Sequence, residues 1–485
     1  MYKLLFKQTL IYGLATVLPR MFSFILVPLY TQVLPVVEYG AVSIIFSWLV
    51  LFNVVLSYGM ETTFFRFYTQ EEDKESVLGT SLISIFWTSI LFLVLGLVYR
   101  HSLAEWSSLD VENITYTVWI LVLDALVVIP FSKLRVQQKP VFYAVLKIIN
   151  VAINLGLNIF FLLILPRLSQ ELPDTFISTL YVEDFQVGYI FLSNVIASLF
   201  VFLVLSPDYF RVRWTFDFSI WWKMLRYGFP ILLAGLAFAI NETFDRIILE
   251  WLLPPDTAMQ SVGAYSACYK LAIFMTLFAS AFRLGVEPFF FSHAKEKNAP
   301  ETYAQITKYY VIFGSVILLT VIVFADVLKW FLIRDSSYWE AMKVVPLIIL
   351  ANLCLGIYHN LSVWYKLIDK TMIGAYISIV GALVTLGLNF YLIPQYTYYG
   401  SAVATLAAYG VMMLISYVLG RKYYPIPYDV KKIVSYLVLS VTLSAISFYY
   451  FRENYLVGTT FLIIFAYFVY RNEKRMILRI FKKSK

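Results

Sequence analysis

The sequence predicts an all-α polytopic membrane protein with about 14 transmembrane helices. Hydrophobic residues make up 61% of the 485 positions and charged residues only 14%, whereas charge approaches about a quarter of a soluble domain. Mean hydropathy is +0.76, and apolar stretches of the roughly 20 residues needed to cross a bilayer follow one another throughout the chain. These observations exclude a soluble enzyme and leave no length for a sizeable extramembrane domain.

Hydropathy places the predicted spans along the whole chain, with short connections between them. Lys and Arg are divided unequally between the two sets of connections, 26 on the side of the N-terminus and 6 on the other. Because short cytoplasmic loops collect positive charge, both termini are predicted to be cytoplasmic. The spans lie near residues 8–32, 40–66, 78–99, 113–131, 141–165, 186–205, 227–252, 262–289, 309–328, 345–365, 372–393, 399–420, 433–450 and 454–470.

The two halves of the chain share an internal repeat. Residues 154–158 read Asn-Leu-Gly-Leu-Asn and residues 385–389 read Thr-Leu-Gly-Leu-Asn, 231 positions apart. The same offset superposes Arg135 on Lys366. Weaker pairs in the same order match Tyr12-Gly13 with Tyr227-Gly228, and Gly40-Ala41 with Gly263-Ala264.

The repeat predicts the domain organisation. Each half has six spans, and because six is even the halves have the same orientation, as in parallel-repeat transporters. We therefore predict an N-terminal lobe at 1–219, a C-terminal lobe at 220–425, and two further helices with a basic cytoplasmic tail at 426–485.

Several loose motifs are typical of one transporter family. The chain resembles the polysaccharide-transporter branch of the multidrug/oligosaccharidyl-lipid/polysaccharide exporters, bacterial flippases that move lipid-diphosphate-linked oligosaccharides. The resemblance covers nearly the whole chain and implies a fold like that of the multidrug exporters. It rests on the run Pro28-Leu29-Tyr30-Thr31 through Leu34-Pro35 to Glu38-Tyr39-Gly40, on Tyr58-Gly59, Phe64-Phe65-Arg66 and Leu134-Arg135, and on Gly400-Ser401-Ala402-Val403-Ala404-Thr405.

Arg20 is the first candidate substrate-binding residue. It lies in the middle of the first predicted span, within a stripe of hydroxyl-bearing side chains at helical spacing. A charge at this depth is costly and usually has a role, and a guanidinium binds diphosphate oxygens well. The structural alternative is an ion pair that joins the first span to a neighbour, for example through Asp124.

The fifth predicted span carries a polar stripe. Lys147, Asn150, Asn154 and Asn158 fall within one arc of a helix. Their amides suit hydrogen bonds to sugar hydroxyls, so the four are predicted to bind substrate. The alternative is that these Asn side chains only join helices.

The eighth predicted span contributes two further cations. Lys270 and Arg283 are both candidates for substrate binding, but the 13 positions between them turn a straight helix so far that the two cannot face one cavity. At most one of them is expected to be a central ligand.

Three carboxylates are candidates for coupling to an ion gradient. In the seventh span Glu242 and Arg246 are spaced to pair with each other, which would leave Asp245 unpaired. Asp245 and Glu242, with Asp124 of the fourth span, are predicted to take up a proton or a sodium ion. The alternative for the seventh span is a self-compensated structural cluster.

These observations predict a flippase rather than an enzyme. It would translocate a polyprenyl-diphosphate-linked oligosaccharide from the cytoplasmic to the outer leaflet of the bacterial inner membrane. Transport would proceed by alternating access through a basic central cavity and would serve the synthesis of O-antigen or another cell-surface polysaccharide. No cofactor, metal ion or nucleic acid is expected; a proton or sodium gradient or the membrane potential would drive the cycle, and polysaccharide-assembly proteins are the expected partners. The alternatives are an ion-coupled multidrug exporter of the related branch or a membrane glycan polymerase.

Overall fold

The computed structural model contains helices and no strand in the part of the chain that it describes, residues 21, 24–292, 296 and 298–483. Side chains are described except at positions 287, 288, 291, 292 and 475–483. Arg20 and most of its predicted hydroxyl stripe lie outside the described residues. Their roles remain predictions.

Fourteen helices correspond in order to the predicted spans, and we number them α1 to α14. The first seven are α1 Phe24–Val33, α2 Val36–Gln70, α3 Lys74–Val98, α4 Val111–Val136, α5 Pro140–Glu171, α6 Gln186–Arg211 and α7 Phe218–Leu252. The next are α8 Pro255–Val286, α9 Ala299–Val323, α10 Ser336–Leu367, α11 at 372–396, α12 at 398–423, α13 Val430–Tyr450 and α14 Tyr455–Lys483.

Eleven helical stretches among the described residues are long and apolar enough to cross a membrane. One of them, Met372–Tyr423, contains both α11 and α12, because Thr397 has non-helical dihedral angles of φ 52° and ψ −138°. With α1 and α14 the order of helices agrees with the predicted spans. The prediction of an all-α membrane protein with about 14 helices is confirmed.

The helices form two compact units, Met1–Gly263 and Ala264–Lys485. In the first unit α4 packs against α2, α3 and α6, α5 packs against α6, and α7 packs against α2 and α3. In the second unit α10 packs against α11 and α12, and α9 packs against α10, α13 and α14. The contacts thus place α7 with the first six helices, while the repeat boundary at 219/220 stays a prediction.

A break in α2 lets α7 approach it closely. Tyr58 and Gly59 have left-handed φ angles of 32° and 75°, a conformation that costs little at glycine. A Cβ atom on Gly59 would lie 2.7 Å from the main-chain oxygen of Gly228 on α7. The Tyr58-Gly59 motif therefore bends α2 at the point where the backbone of α7 reaches it.

Two glycines that match in the repeat form a close crossing inside the first unit. A Cβ atom on Gly40 would lie 2.2 Å from the main-chain oxygen of Met259, and one on Gly263 would lie 2.0 Å from that of Val36. Each glycine faces the carbonyl four positions before the other. A side chain at either position would separate the two backbones, so small residues permit this packing.

The repeated segments of α5 and α11 carry equivalent buried amides. Asn158 is fully buried; its amide oxygen accepts a hydrogen bond from the Tyr30 hydroxyl at 3.0 Å, and its nitrogen donates to the main-chain oxygen of Asn154 at 2.8 Å. Asn389 is also fully buried; its oxygen accepts from Ser401 at 2.8 Å and its nitrogen donates to the Thr385 oxygen at 2.7 Å. Both amides therefore join their helix to a neighbour.

A polar cavity as the candidate functional site

A polar cavity of about 440 Å³ lies within the first unit, between α2, α4, α5 and α6. In the topology predicted from the distribution of Lys and Arg, the cavity-lining residues lie in the cytoplasmic halves of their helices. Its lining contains carboxylates, one amine, amides and hydroxyls beside apolar side chains. The polar lining residues are Asn53, Ser57, Glu61, Asp124, Tyr143, Lys147, Asn150, Asn194 and Ser198.

Asp124 is the carboxylate on the α4 wall of this cavity. Its Oδ1 accepts a hydrogen bond from the Ser198 hydroxyl of α6 at 2.8 Å, and Asn53 of α2 also hydrogen-bonds to it. The positive charge of Lys147 acts on the same carboxylate. Three helices thus contribute polar groups around Asp124, and a carboxylate oxygen suits a proton or a hard cation.

Lys147 on α5 is the cation of the cavity lining. Its ammonium nitrogen lies 4.3 Å from the centre of the Phe131 ring of α4, a distance at which a cation is attracted to the ring face. The Phe131 ring in turn contacts Tyr143, with the ring centres 5.2 Å apart. These aromatic contacts hold the ammonium group at the cavity, where it can meet an anionic group of a ligand.

Two ion pairs involve the last turns of α4, and one of them includes a residue of the cavity lining. Glu61 of the lining forms a salt bridge with Arg135, and Lys133 pairs with Asp208 at 2.6 Å. Both ends of the Glu61–Arg135 pair are about half exposed, so this pair contributes little stability. The pair matters more for the cavity than for stability, because Glu61 is part of the cavity lining.

The predicted polar stripe on α5 divides into two parts. Lys147 and Asn150 line the cavity, whereas Asn158 is fully buried and joins α5 to α1 through Tyr30. Asn154 lies between these groups and accepts a second hydrogen bond from Asn158, at 3.2 Å. The alternative of helix-joining amides therefore describes Asn158, and a substrate-binding role for Lys147, Asn150 and Asn154 stays a prediction.

Six polar lining residues were not among the predicted site residues: Glu61, Tyr143 and four uncharged residues on α2 and α6. Asn53 and Ser57 lie on α2, and Asn194 and Ser198 lie on α6. Each pair is spaced by four positions, which is the spacing of one helix face. That pattern was readable in the sequence, but uncharged polar residues are common in membrane helices, so only the cavity distinguishes these four.

The predicted pairing in α7 is wrong. Arg246 donates from Nη1 to Asp245 Oδ1 at 3.0 Å, and the same nitrogen donates to the main-chain oxygen of Glu242 at 3.1 Å. Asp245 is therefore paired rather than left alone, because the guanidinium folds back onto the neighbouring residue. Asp245 and Arg246 are both buried, and the ion-coupling roles of Asp245 and Glu242 remain predictions.

Lys270 and Arg283 have different surroundings in the second unit. Arg283 lines a small pocket of about 10 Å³ together with His359, Asn360 and Lys366, which is near the minimum for one water molecule. Lys270 is exposed and begins a short 3-10 segment, Lys270–Ala272, that interrupts α8. Arg283 is thus the one of the two that belongs to a basic cluster.

No set of three or more His, Cys, Asp or Glu side chains that could hold a metal ion occurs among the described residues. Both cysteines, Cys268 and Cys354, are buried and free. The polar groups that line the cavity are carboxylates, an amine, amides and hydroxyls. Such groups bind ligands by charge and hydrogen bonds.

The fold is that of a multi-spanning membrane protein with a polar cavity among its helices. Residues 5–291 match the model of the family described as polysaccharide biosynthesis protein, and residues 230–391 match that of the MatE family. The first match spans more than half of the sequence. The chain belongs to the polysaccharide biosynthesis protein family, as the sequence motifs predicted.

Known relatives are similar over most of their length. A Haemophilus influenzae protein, Lsg locus putative protein 1, is 22% identical over 400 residues, which cover 79% of this chain and 91% of that protein. The inward closed conformation of the lipid II flippase MurJ superposes with a TM-score of 0.73 at 16% identity, covering 96% of this chain and 99% of the other. An inward-facing multidrug resistance transporter of the MATE family gives 0.65 at 12% identity, covering 87% and 96%. These likenesses establish the fold.

Proposed function

We propose that this protein is a flippase that moves a lipid-diphosphate-linked oligosaccharide from the cytoplasmic to the outer leaflet of the bacterial plasma membrane, for cell-surface polysaccharide biosynthesis. The observation that carries the proposal is the cavity of the first unit, which combines the Lys147 ammonium with the amides of Asn53, Asn150 and Asn194. An ammonium group suits a diphosphate, and amides suit sugar hydroxyls. Family membership and the flippase-like fold support the same substrate class.

The cycle is proposed to proceed by alternating access, with both termini in the cytoplasm. The polar head group crosses within the protein while the lipid tail remains in the bilayer. This arrangement avoids the cost of several kcal/mol for each polar group left unsatisfied in hydrocarbon. Arg20, which lies outside the described residues, is proposed as a second diphosphate ligand.

Asp124 is proposed as the coupling group. Its carboxylate, to which the side chains of Ser198 and Asn53 donate hydrogen bonds, can receive a proton or a sodium ion. The nearby Lys147 charge makes occupancy by a cation and by an anionic substrate interdependent. This interdependence is the minimum that coupled transport requires. Binding of the anionic head group at Lys147 would favour cation uptake at Asp124.

Reconstitution tests the proposal directly. Purified full-length protein is placed in liposomes that contain a fluorescent polyprenyl-diphosphate-linked oligosaccharide, and transfer between leaflets is followed by quenching from outside. We expect transfer well above that of protein-free liposomes, and a lower rate in Asp124→Asn. Transport of lipophilic cations with no transfer of the glycolipid would instead favour the multidrug exporter.

A gradient experiment separates the coupling ion from the substrate. The rate of glycolipid transfer is measured in proteoliposomes that carry a proton gradient, a sodium gradient or a membrane potential. Each rate is compared with the rate after that gradient or potential has been dissipated. Loss of the rate on dissipating one of them identifies the driving force. Equal rates in wild type and Asp124→Asn under every gradient would reject Asp124 as the coupling group while leaving the flippase proposal intact.

A further inference from the structure

An apolar groove in the first unit takes no part in the proposed transport cycle. It has a volume of about 410 Å³, within the range of roughly 300 to 1,000 Å³ that proteins use for small-molecule sites. Its walls come from α2, α3, α4 and an eight-residue helix, Arg100–Ser107, that connects α3 to α4. The groove is therefore large enough for a ligand and lies among membrane-spanning helices.

The lining offers almost no hydrogen bonds to a ligand. The Ser107 hydroxyl donates to the Leu103 main-chain oxygen at 2.7 Å, and the Thr117 hydroxyl donates to that of Asn113 at 2.7 Å. None of the described lining residues is charged, and most are aliphatic or aromatic, including Phe52, Leu95 and Leu121. A ligand that fits this lining is a hydrocarbon chain.

Three tryptophans cluster at the groove and indicate its depth in the membrane. The rings of Trp48 and Trp106, which line the groove, lie 5.5 Å apart, and both contact Trp251 of α7, at 6.2 and 5.9 Å. Trp106 is 58% exposed. Tryptophans collect where hydrocarbon meets the lipid head groups, so the groove runs from the head-group level into the hydrocarbon.

Two basic residues are adjacent in sequence to the groove lining. Arg100 and His101 begin the connecting helix immediately after Tyr99, which lines the groove. A guanidinium at the head-group level suits a lipid phosphate. A basic residue that directly precedes the connecting-helix wall of an apolar groove suits an amphipathic lipid with an anionic head group.

We propose that this groove holds one acyl chain of a glycerophospholipid, with the lipid phosphate beside Arg100. The transported substrate is not the occupant, because α2 and α4 separate the groove from the polar cavity. Phe52 faces the groove while the adjacent Asn53 faces the cavity, and Leu121 and Asp124 of α4 are divided in the same way. A tail in the groove cannot belong to a head group in the cavity unless the two helices part.

Neighbouring positions on α3 provide a matched test. Leu95 lines the groove and Val94 does not, although their exposures of 47% and 52% are similar. The full-length protein is purified in mild detergent with phosphatidylglycerol, and retained lipid is measured by native mass spectrometry. We expect one retained phosphatidylglycerol in wild type and Val94→Trp, and loss of most of it in Leu95→Trp, whose indole fills the groove.

A stability readout accompanies the mass measurement. Adding phosphatidylglycerol should raise the Tm of wild type and Val94→Trp but leave that of Leu95→Trp unchanged, and Arg100→Gln should weaken retention without filling the groove. Equal retention in all variants, or a retained mass that matches a polyprenyl chain, would overturn the proposal. If Leu95→Trp is not monodisperse, Leu103→Glu, which places a charge on the connecting-helix wall of the groove, is measured in its place.

Discussion

Asn158 on α5 and Asn389 on α11 lie 231 positions apart and make the same kind of hydrogen bonds. In each, the amide oxygen accepts from a hydroxyl of another helix and the nitrogen donates one turn back along its own helix. The hydroxyl comes from Tyr30 of α1 in the first unit and from Ser401 of α12 in the second. We call each of these buried Asn side chains an anchor. The two anchors make equivalent hydrogen bonds, but the partner hydroxyl comes from a different helix in each unit.

The polar positions one to three turns before this anchor differ between the units. At the same offset of 231, Lys147 corresponds to Ser378, and Asn150 corresponds to Gly381. Ser378 hydrogen-bonds to Tyr358, and Gly381 is buried. The comparison teaches that the repeat preserves helix packing while the charge and amides of the α5 wall occur in the first unit alone.

The largest expected effect comes from removing that charge. Lys147→Ser gives α5 the residue that α11 has at the matching place. A hydrogen bond to a charged group contributes about 1.5 to 3 kcal/mol, so we expect glycan export to fall roughly 10- to 100-fold at normal membrane abundance. Export and protein level are measured in the same cells.

The matched control for this change is Lys139→Ser. Lys139 is an exposed cation at the start of the same helix, outside the cavity lining. It should leave export near the wild-type level. Equal loss of export in both variants would mean that overall charge, rather than the cavity, explains the effect.

The glycines provide the next largest expected effect, in protein stability. A Cβ atom on Gly40 or Gly263 meets a main-chain oxygen at 2.2 or 2.0 Å, whereas one on Gly156 or Gly387 meets nothing within 4 Å. We expect Gly40→Ala and Gly263→Ala to destabilise by about 1 to 3 kcal/mol through overpacking. Gly156→Ala and Gly387→Ala should be neutral or stabilise by up to about 1 kcal/mol.

Thermal unfolding of the four purified variants in one detergent tests this difference. Each glycine pair matches in the repeat, so the two members of a pair should behave alike. A Gly40→Ala protein as stable as Gly156→Ala would show that the close crossing is not part of the native packing.

The anchors should contribute smaller, comparable amounts. Interhelical hydrogen bonds in membrane proteins average about 0.6 kcal/mol and reach about 1.7. Double-mutant cycles for Tyr30→Phe with Asn158→Leu, and for Ser401→Ala with Asn389→Leu, should each give a coupling energy in this range. Measurable coupling in one unit and none in the other would break the equivalence of the two anchors.

The smallest expected effect concerns an ion-pair cluster at a short helix that follows α9. A short helix also follows α3, so each of these two spans has one. Asp326 lies in the helix that follows α9, Ala325–Leu332, where it accepts two hydrogen bonds from Arg452, at 2.8 and 2.9 Å, and also pairs with Lys329. Burial acts to raise the pKa of Asp326, but the hydrogen bonds and charges of Arg452 and Lys329 outweigh burial and lower it.

A lowered carboxyl pKa fixes the direction of the pH dependence. The stabilisation is present above the ordinary aspartate pKa of about 4 and is lost as the pH falls through the lower value of the folded protein. Arg452→Gln should therefore lower the Tm modestly at pH 7, because Arg452 is partly exposed. Its difference from wild type should shrink in acid, and a difference that grew in acid would contradict the assignment.

The polar face of α5 is readable in the sequence, but its division into two parts is not. Lys147 and Asn158 share one helical arc, and only the structure places the first at a cavity and the second in a sealed contact with Tyr30. The same limit explains the error in α7. Spacing allowed Arg246 to reach Glu242 or to fold back onto Asp245, and the choice depends on how the surrounding helices bury the guanidinium.

Composition and hydropathy by themselves determined the all-helical membrane fold, the order of the spans and, with the motifs, the family. These properties follow from the cost of placing polar backbone in hydrocarbon, which acts on each segment separately. The tertiary structure alone decided that Asn53, Ser198 and Asp124 from three helices meet around one cavity, and that Gly40 and Gly263 cross. Contacts of this kind depend on the rotation and distance of helices far apart in sequence, which no local pattern specifies.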